Sequence, residues 1–83
     1  MDNRVKELIA IGASVTANCQ PCLNYHVSAA RQTGADEKEI GMAIEVAKAV
    51  RKGAAAKMDQ FASTIVDQTE TVASASEQGC GCK

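Results

Sequence analysis

The sequence predicts an all-α fold: a small domain of about four helices that finishes its core by packing against copies of itself. Three observations carry this expectation. Apolar residues recur at three- and four-residue steps through most of the chain, the spacing of a helix face. No alternating stretch of useful strand length appears anywhere. The core stock is also poor for 83 residues, with one Phe, one Tyr, no Trp and many alanines. Alanine favours helix but brings little apolar area. Chains below about 70–80 residues usually need disulfides, metal or oligomerisation to complete a core, and this one stands just above that line.

Asp2 or Asn3 can cap the free N–H groups that open a first helix. Val5, Leu8, Ile9, Gly12, Val15 and Thr16 form its predicted buried stripe. Gly12 lies inside that stripe, where glycine costs about 1 kcal/mol relative to alanine, so a close helix contact is expected there. Glu7 stands beside the stripe, in line with Ile11 and Ser14. The helix should stop near Ala17-Asn18, because Pro21 fits a first turn and not a helix interior.

A second helix is expected from about Gln20 to Thr33, ending at Gly34, a suitable residue for the left-handed position after a helix. Asp36-Glu37-Lys38-Glu39 is a capping-box pattern that opens a third. Ile40, Ala43, Ile44, Ala47 and Val50 make its inner stripe; Glu45, Lys48 and Lys52 make its wet face. Gly53 is expected to break or bend it. A fourth helix, from Ala54 to about Ala73, carries Met58, Phe61, Ala62, Ile65, Thr69 and Val72 inward. The pattern then fails. The chain is therefore read as a helical domain, 1–73, and a flexible tail, 74–83, that carries Cys80-Gly81-Cys82.

Composition excludes several classes. The net charge is −1 and mixed in sign along the chain, so there is no basic footprint for nucleic acid. No apolar run approaches the roughly 20 residues of a membrane span. The opening residues lack the apolar core of an export signal, which makes the cytoplasm the expected location. In that reducing compartment four cysteines point to catalysis or metal binding before a structural framework.

The chemistry concentrates in Cys19-Gln20-Pro21-Cys22-Leu23-Asn24-Tyr25-His26. Positions 19, 22 and 26 step by three and then four, which puts both sulfurs and the one imidazole on a single helix face. A thiol reacts as its thiolate, and a helix N-terminus or a nearby imidazole favours that form. His26 reaches Cys22 more easily than Cys19. Cys22 is thus the candidate nucleophile and His26 its general base. Attack on a peroxide would leave a sulfenic acid on Cys22 for Cys19 to resolve. Attack on a disulfide would leave a mixed disulfide for Cys19 to release. Plainer readings stand beside these. A CxxC can be half of a zinc site, a lone histidine on a helix is most often solvated or a satisfied core residue, and Glu7 by itself is an ordinary surface charge.

Glu7, then Cys19, Cys22 and His26, in this spacing, resembles the alkylhydroperoxidase D-like core of the carboxymuconolactone decarboxylase superfamily. Glu7-Leu8-Ile9-Ala10, Asn24-Tyr25-His26-Val27-Ser28-Ala29-Ala30 and Gly34-Ala35-Asp36-Glu37-Lys38-Glu39-Ile40 are similar to its flanking text, and the likeness covers roughly residues 5 to 62. The resemblance implies an all-helical domain assembled as a homo-oligomer, a trimer or hexamer. It implies a CxxC that cycles between dithiol and disulfide and needs no further cofactor. Cys22 would meet a small peroxide and Cys19 would resolve it. His26 and Glu7 would form a proton relay, a role for Glu7 that its own position could not suggest. A dithiol, a lipoyl-type group or a redox partner protein would be the reductant. Pro21 departs from the pattern, since studied members carry a histidine inside the CxxC. Decarboxylation of a muconolactone fits less well, because no cluster of basic groups is present to hold a dicarboxylate.

Cys80 and Cys82 fall outside the resemblance. They are a dispensable end, a dithiol that exchanges with Cys19 and Cys22, or two of four thiolates in a zinc or other soft-metal site completed by Cys19 and Cys22.

Overall fold

A computed structural model of the protein describes residues 1–68 and contains, within them, three helices and no strand. These are α1 (Asn3–Thr16), α2 (Gln20–Gln32) and α3 (Glu37–Gln68). The all-α expectation holds. Each boundary follows from local chemistry. Asp2 caps α1, its carboxylate accepting from the Arg4 amide at 3.0 Å. At the other end Asn18 takes φ 59°, a left-handed turn that asparagine tolerates better than most residues. Cys19 caps α2 and a proline opens its first turn. Gly34 follows at φ 98°, the conformation glycine adopts at no steric cost. The capping box closes in both directions: Glu39 N–H donates to Asp36 Oδ1 at 2.8 Å, and Asp36 N–H donates to Glu39 Oε1 at 3.2 Å.

The chain divides into two compact units, Met1–Gly53 and Ala54–Lys83. The core of the first is small. Ile11, Ala30, Ala35 and Ile40 are buried together, with Leu8, Leu23, Val27, Ala43 and Ile44 packed against them. Ile11 is fully covered; burying such a side chain contributes roughly 1.5–3 kcal/mol. Gly12 meets α3 as expected, but without crowding. A methyl group added there would lie 3.8 Å from the Ala43 carbonyl and 3.9 Å from Ala47 Cβ.

Three expectations are corrected. Gly53 neither breaks nor ends a helix, since α3 runs from Glu37 to Gln68 as one element. A single interior glycine costs about 1 kcal/mol, and the flanking Arg51-Lys52 and Ala54-Ala55-Ala56-Lys57 are strong helix formers. The inward face of α1 is rotated toward Glu7, Ile11 and Ser14. Ile11 and Ser14 are buried, as is Val15 of the expected stripe, whereas Ile9 is 55% exposed. On α3, Val50, Met58, Phe61 and Ile65 are 47–63% exposed within the chain. The rest of the expected fourth helix, with Thr69, Val72 and the tail from 74, lies outside the described residues.

One face of the first unit remains apolar and open. Leu8, Ile9, Gly12, Met42, Val46 and Val50 border a groove of about 640 Å³ between α1 and α3. No helix among the described residues is long and apolar enough to cross a membrane.

Candidate active site

The α1–α2 connection presents Cys19 at the N-cap of α2, and this position governs both cysteines. Cys19 N–H donates to the Ser14 carbonyl at 3.0 Å, which fixes the residue against the end of α1. Its Sγ accepts the Cys22 amide at 3.3 Å, the bond an N-cap side chain makes with the third helical residue. Cys19 and Cys22 are joined as a disulfide, with their Cα atoms 5.3 Å apart. Cys22 is exposed and Cys19 half-buried.

The two sulfurs thus differ in surroundings. By spacing alone the helix N-terminus serves both and the imidazole serves Cys22. The cap geometry gives a direct N–H contact to Cys19. His26 follows Cys22 by four residues on α2, one turn along the same face.

His26 is itself held from another helix. Its Nδ1–H donates to Glu7 Oε1 at 2.7 Å, joining α2 to α1 across 19 residues of sequence. The Glu7 side chain is 13% exposed and that of His26 30%. With Nδ1 carrying the proton toward the carboxylate, Nε2 is the basic nitrogen of the neutral ring. Tyr25 stands edge-on to the imidazole, with ring centroids 5.0 Å apart. Glu7 is therefore not the free surface charge its own position suggested. Its line with Ile11 and Ser14 is the covered side of α1; that register, and the resemblance that pairs Glu7 with His26, are the signals the sequence carries.

A residue that spacing does not single out holds the turn that precedes Cys19. Arg51 of α3 donates from Nη1 to the Val15 carbonyl and to Asn18 Oδ1, both at 2.9 Å. It satisfies a carbonyl at the end of α1, where a cation also suits the helix dipole. It also pins the left-handed Asn18. A pocket of about 200 Å³ lies there, bordered by Asn18, Cys19, Gln20, Leu23 and Arg51. Nothing in the spacing of Arg51, 33 and 36 residues from its partners, announces this contact.

Among the described residues no group of three or more His, Cys, Asp or Glu side chains is placed to hold a metal ion. The four-cysteine metal set expected as an alternative includes Cys80 and Cys82, which lie outside the described residues.

Residues 1–64 match the carboxymuconolactone decarboxylase family. The chain is 36% identical over 70 residues to uncharacterized protein 4 in the cox locus of Paracoccus denitrificans. That match covers 84% of this chain and 63% of the Paracoccus protein. No solved structure matches the chain.

Proposed function

The chain belongs to the carboxymuconolactone decarboxylase family, and from that premise we propose that it is a thiol–disulfide oxidoreductase that reduces hydroperoxides. The observation that carries the reading is a Cys19–Cys22 disulfide one helical turn from a histidine that a carboxylate holds in place. Structural disulfides are rare in reducing compartments, whereas a CxxC at a helix N-terminus is chemically suited to redox exchange.

The cycle begins from the dithiol. Nε2 of His26 takes the Cys22 proton, and the thiolate attacks the terminal oxygen of the peroxide. The O–O bond breaks, Cys22 becomes a sulfenic acid, and the proton goes to the departing alkoxide to give an alcohol. The Cys19 thiol then attacks the Cys22 sulfur and expels water, forming the disulfide. A dithiol returns both cysteines to the reduced state by two exchange steps and leaves as its own disulfide. The exposure of Cys22 favours it as the sulfur that meets peroxide. Glu7 orients the imidazole and stabilises its charged form while it carries the proton.

The open groove of α1 and α3 supports assembly of the chain as a homo-oligomer. Met42, Val46 and Ile9 are each more than half exposed there, and apolar patches of this kind mark protein contacts. Light scattering on the full chain tests this; a monomer at all concentrations overturns it. The enzymatic proposal is tested by peroxide consumption driven by dihydrolipoamide. Turnover is expected in the wild type, and unchanged turnover in Cys22→Ser overturns the reading.

A further inference from the structure

We propose that the pocket between Cys19 and Arg51 is the entry site of the reductant, and that it selects a thiol bearing a carboxylate. The inference rests on the redox reading of the disulfide and adds the class of molecule that reopens it.

The argument begins with charge. Arg4 and Arg31 each hold a glutamate, Glu39 and Glu37 respectively. Arg51 has no carboxylate partner among the described residues. Its Nη1 serves two neutral oxygens, the Val15 carbonyl and Asn18 Oδ1. A guanidinium has five N–H donors in a planar fork that suits a carboxylate. Those two bonds use the N–H groups of Nη1 and leave the Nη2–Nε edge of the fork for a carboxylate, and among the described residues no acidic side chain offsets its charge beside a pocket of about 200 Å³. That volume suits a small molecule. Leu23 offers its stem an apolar wall, and Cys19 lines the same space.

The attacked sulfur follows from this placement. Cys19 borders the pocket, and the Cys22 N–H on its Sγ withdraws electron density from it. A thiolate held there by its carboxylate attacks Cys19 Sγ. The Cys19–Cys22 bond breaks, a mixed disulfide forms on Cys19, and Cys22 leaves as a thiolate that takes a proton on the exposed face of α2. A second thiol attacks the mixed disulfide, frees Cys19 and departs as the oxidised reductant. Peroxide and reductant are thereby given different sulfurs and different sides of the cap.

The experiment compares 3-mercaptopropionate with its neutral amide, 3-mercaptopropionamide, as reductants of the oxidised full chain. Second-order rate constants are expressed per thiolate and followed by loss of the disulfide in intact mass. The acid is expected to react faster than the amide by roughly three- to tenfold, the range of a half-exposed charge-assisted contact. Arg51→Gln should bring the ratio to one, and Arg51→Lys should restore part of it. A role limited to holding the end of α1 would slow both reagents together and leave their ratio unchanged. Should Arg51→Gln fail to fold, Arg51→Lys decides the matter: an acid-to-amide ratio below that of the wild type supports the inference, and an unchanged ratio overturns it. Equal rates for acid and amide in the wild type overturn this inference alone. A disulfide that neither thiol opens overturns the redox reading as well.

Discussion

His26 of α2 donates its Nδ1 proton to Glu7 of α1 at 2.7 Å, so the imidazole beside the CxxC is set by a carboxylate from another helix. The bond fixes the tautomer and turns Nε2 into the nitrogen free to exchange a proton. General bases of this kind contribute about 10²–10⁴-fold. His26→Asn is therefore expected to lower kcat/KM for peroxide by about 10²-fold or more. Glu7→Gln, which keeps an acceptor but loses the charge, should cost about tenfold, in line with loss of an orienting partner. Steady-state peroxide reduction with excess dihydrolipoamide measures both. Full activity in Glu7→Gln would separate the carboxylate from the chemistry and leave it a purely structural bond.

The division of labour between the cysteines is open to a direct chemical test. Cys19→Ser should react once with peroxide and hold a sulfenic acid on Cys22, which a dimedone-type reagent traps and intact mass detects. Cys22→Ser should show no such product. Reaction at Cys19 in the Cys22→Ser protein would reverse the assignment, and the Cys22 N–H on Cys19 Sγ would then be the activating contact.

The helices were legible in sequence wherever a boundary depended on local chemistry. Asp2, Asn18, Pro21, Gly34 and the Asp36/Glu39 box each act within four residues of themselves, and each boundary lies where those residues require it. Gly53 was misleading because a single glycine is only a weak penalty against the run of helix formers around it. The inner face of α1 is only partly legible for a related reason. Two stripes share Leu8 and Val15, and only the partner helices decide which is covered. Of the site, Cys19, Cys22 and His26 are related by helical spacing and could be found from it. The contact of His26 with Glu7, and of Arg51 with Val15 and Asn18, joins residues far apart in sequence. No periodicity encodes such pairs; they arise from how the helices pack.

A small pH dependence of stability is expected from Arg31 and Glu37. Arg31 Nε and Nη2 donate to the two Glu37 oxygens at 2.7 and 2.9 Å. The Arg31 hydrogen bond holds the Glu37 carboxyl below its ordinary value of 4.5; desolvation opposes it, and the guanidinium charge adds to it. A carboxyl depressed on folding stabilises the protein above its unfolded value, and the contribution is lost as pH falls through the folded one. The pair is solvent-exposed, so the effect is modest. Thermal unfolding of the wild type and Arg31→Gln should differ near about pH 7 and converge near about pH 3. A gap that persists in acid would show that Arg31 acts through packing of its stem and not through Glu37.

Ile11 is the largest fully buried side chain among the described residues. Ile11→Ala is expected to cost roughly 2–5 kcal/mol, much of the stability of a domain this size. Denaturant titration checks the loss, with Ile11→Val as the graded control at roughly 0.5–1.5 kcal/mol. A loss below 1 kcal/mol for alanine would mean that the site collapses around the missing groups or that other contacts dominate the core.

Gly53 offers the converse case, a position where the chain can gain. It lies within α3, a methyl group added there meets nothing within 4 Å among the described residues, and its φ is not in the left-handed region. Alanine at such a site keeps the helix and removes backbone freedom from the unfolded chain. Gly53→Ala should therefore stabilise the helix by about 0.5–1 kcal/mol, raise far-ultraviolet helicity slightly, and slow amide exchange over residues 50–56. Faster exchange in that stretch, or lower helicity, would mean that the glycine serves a bend in solution.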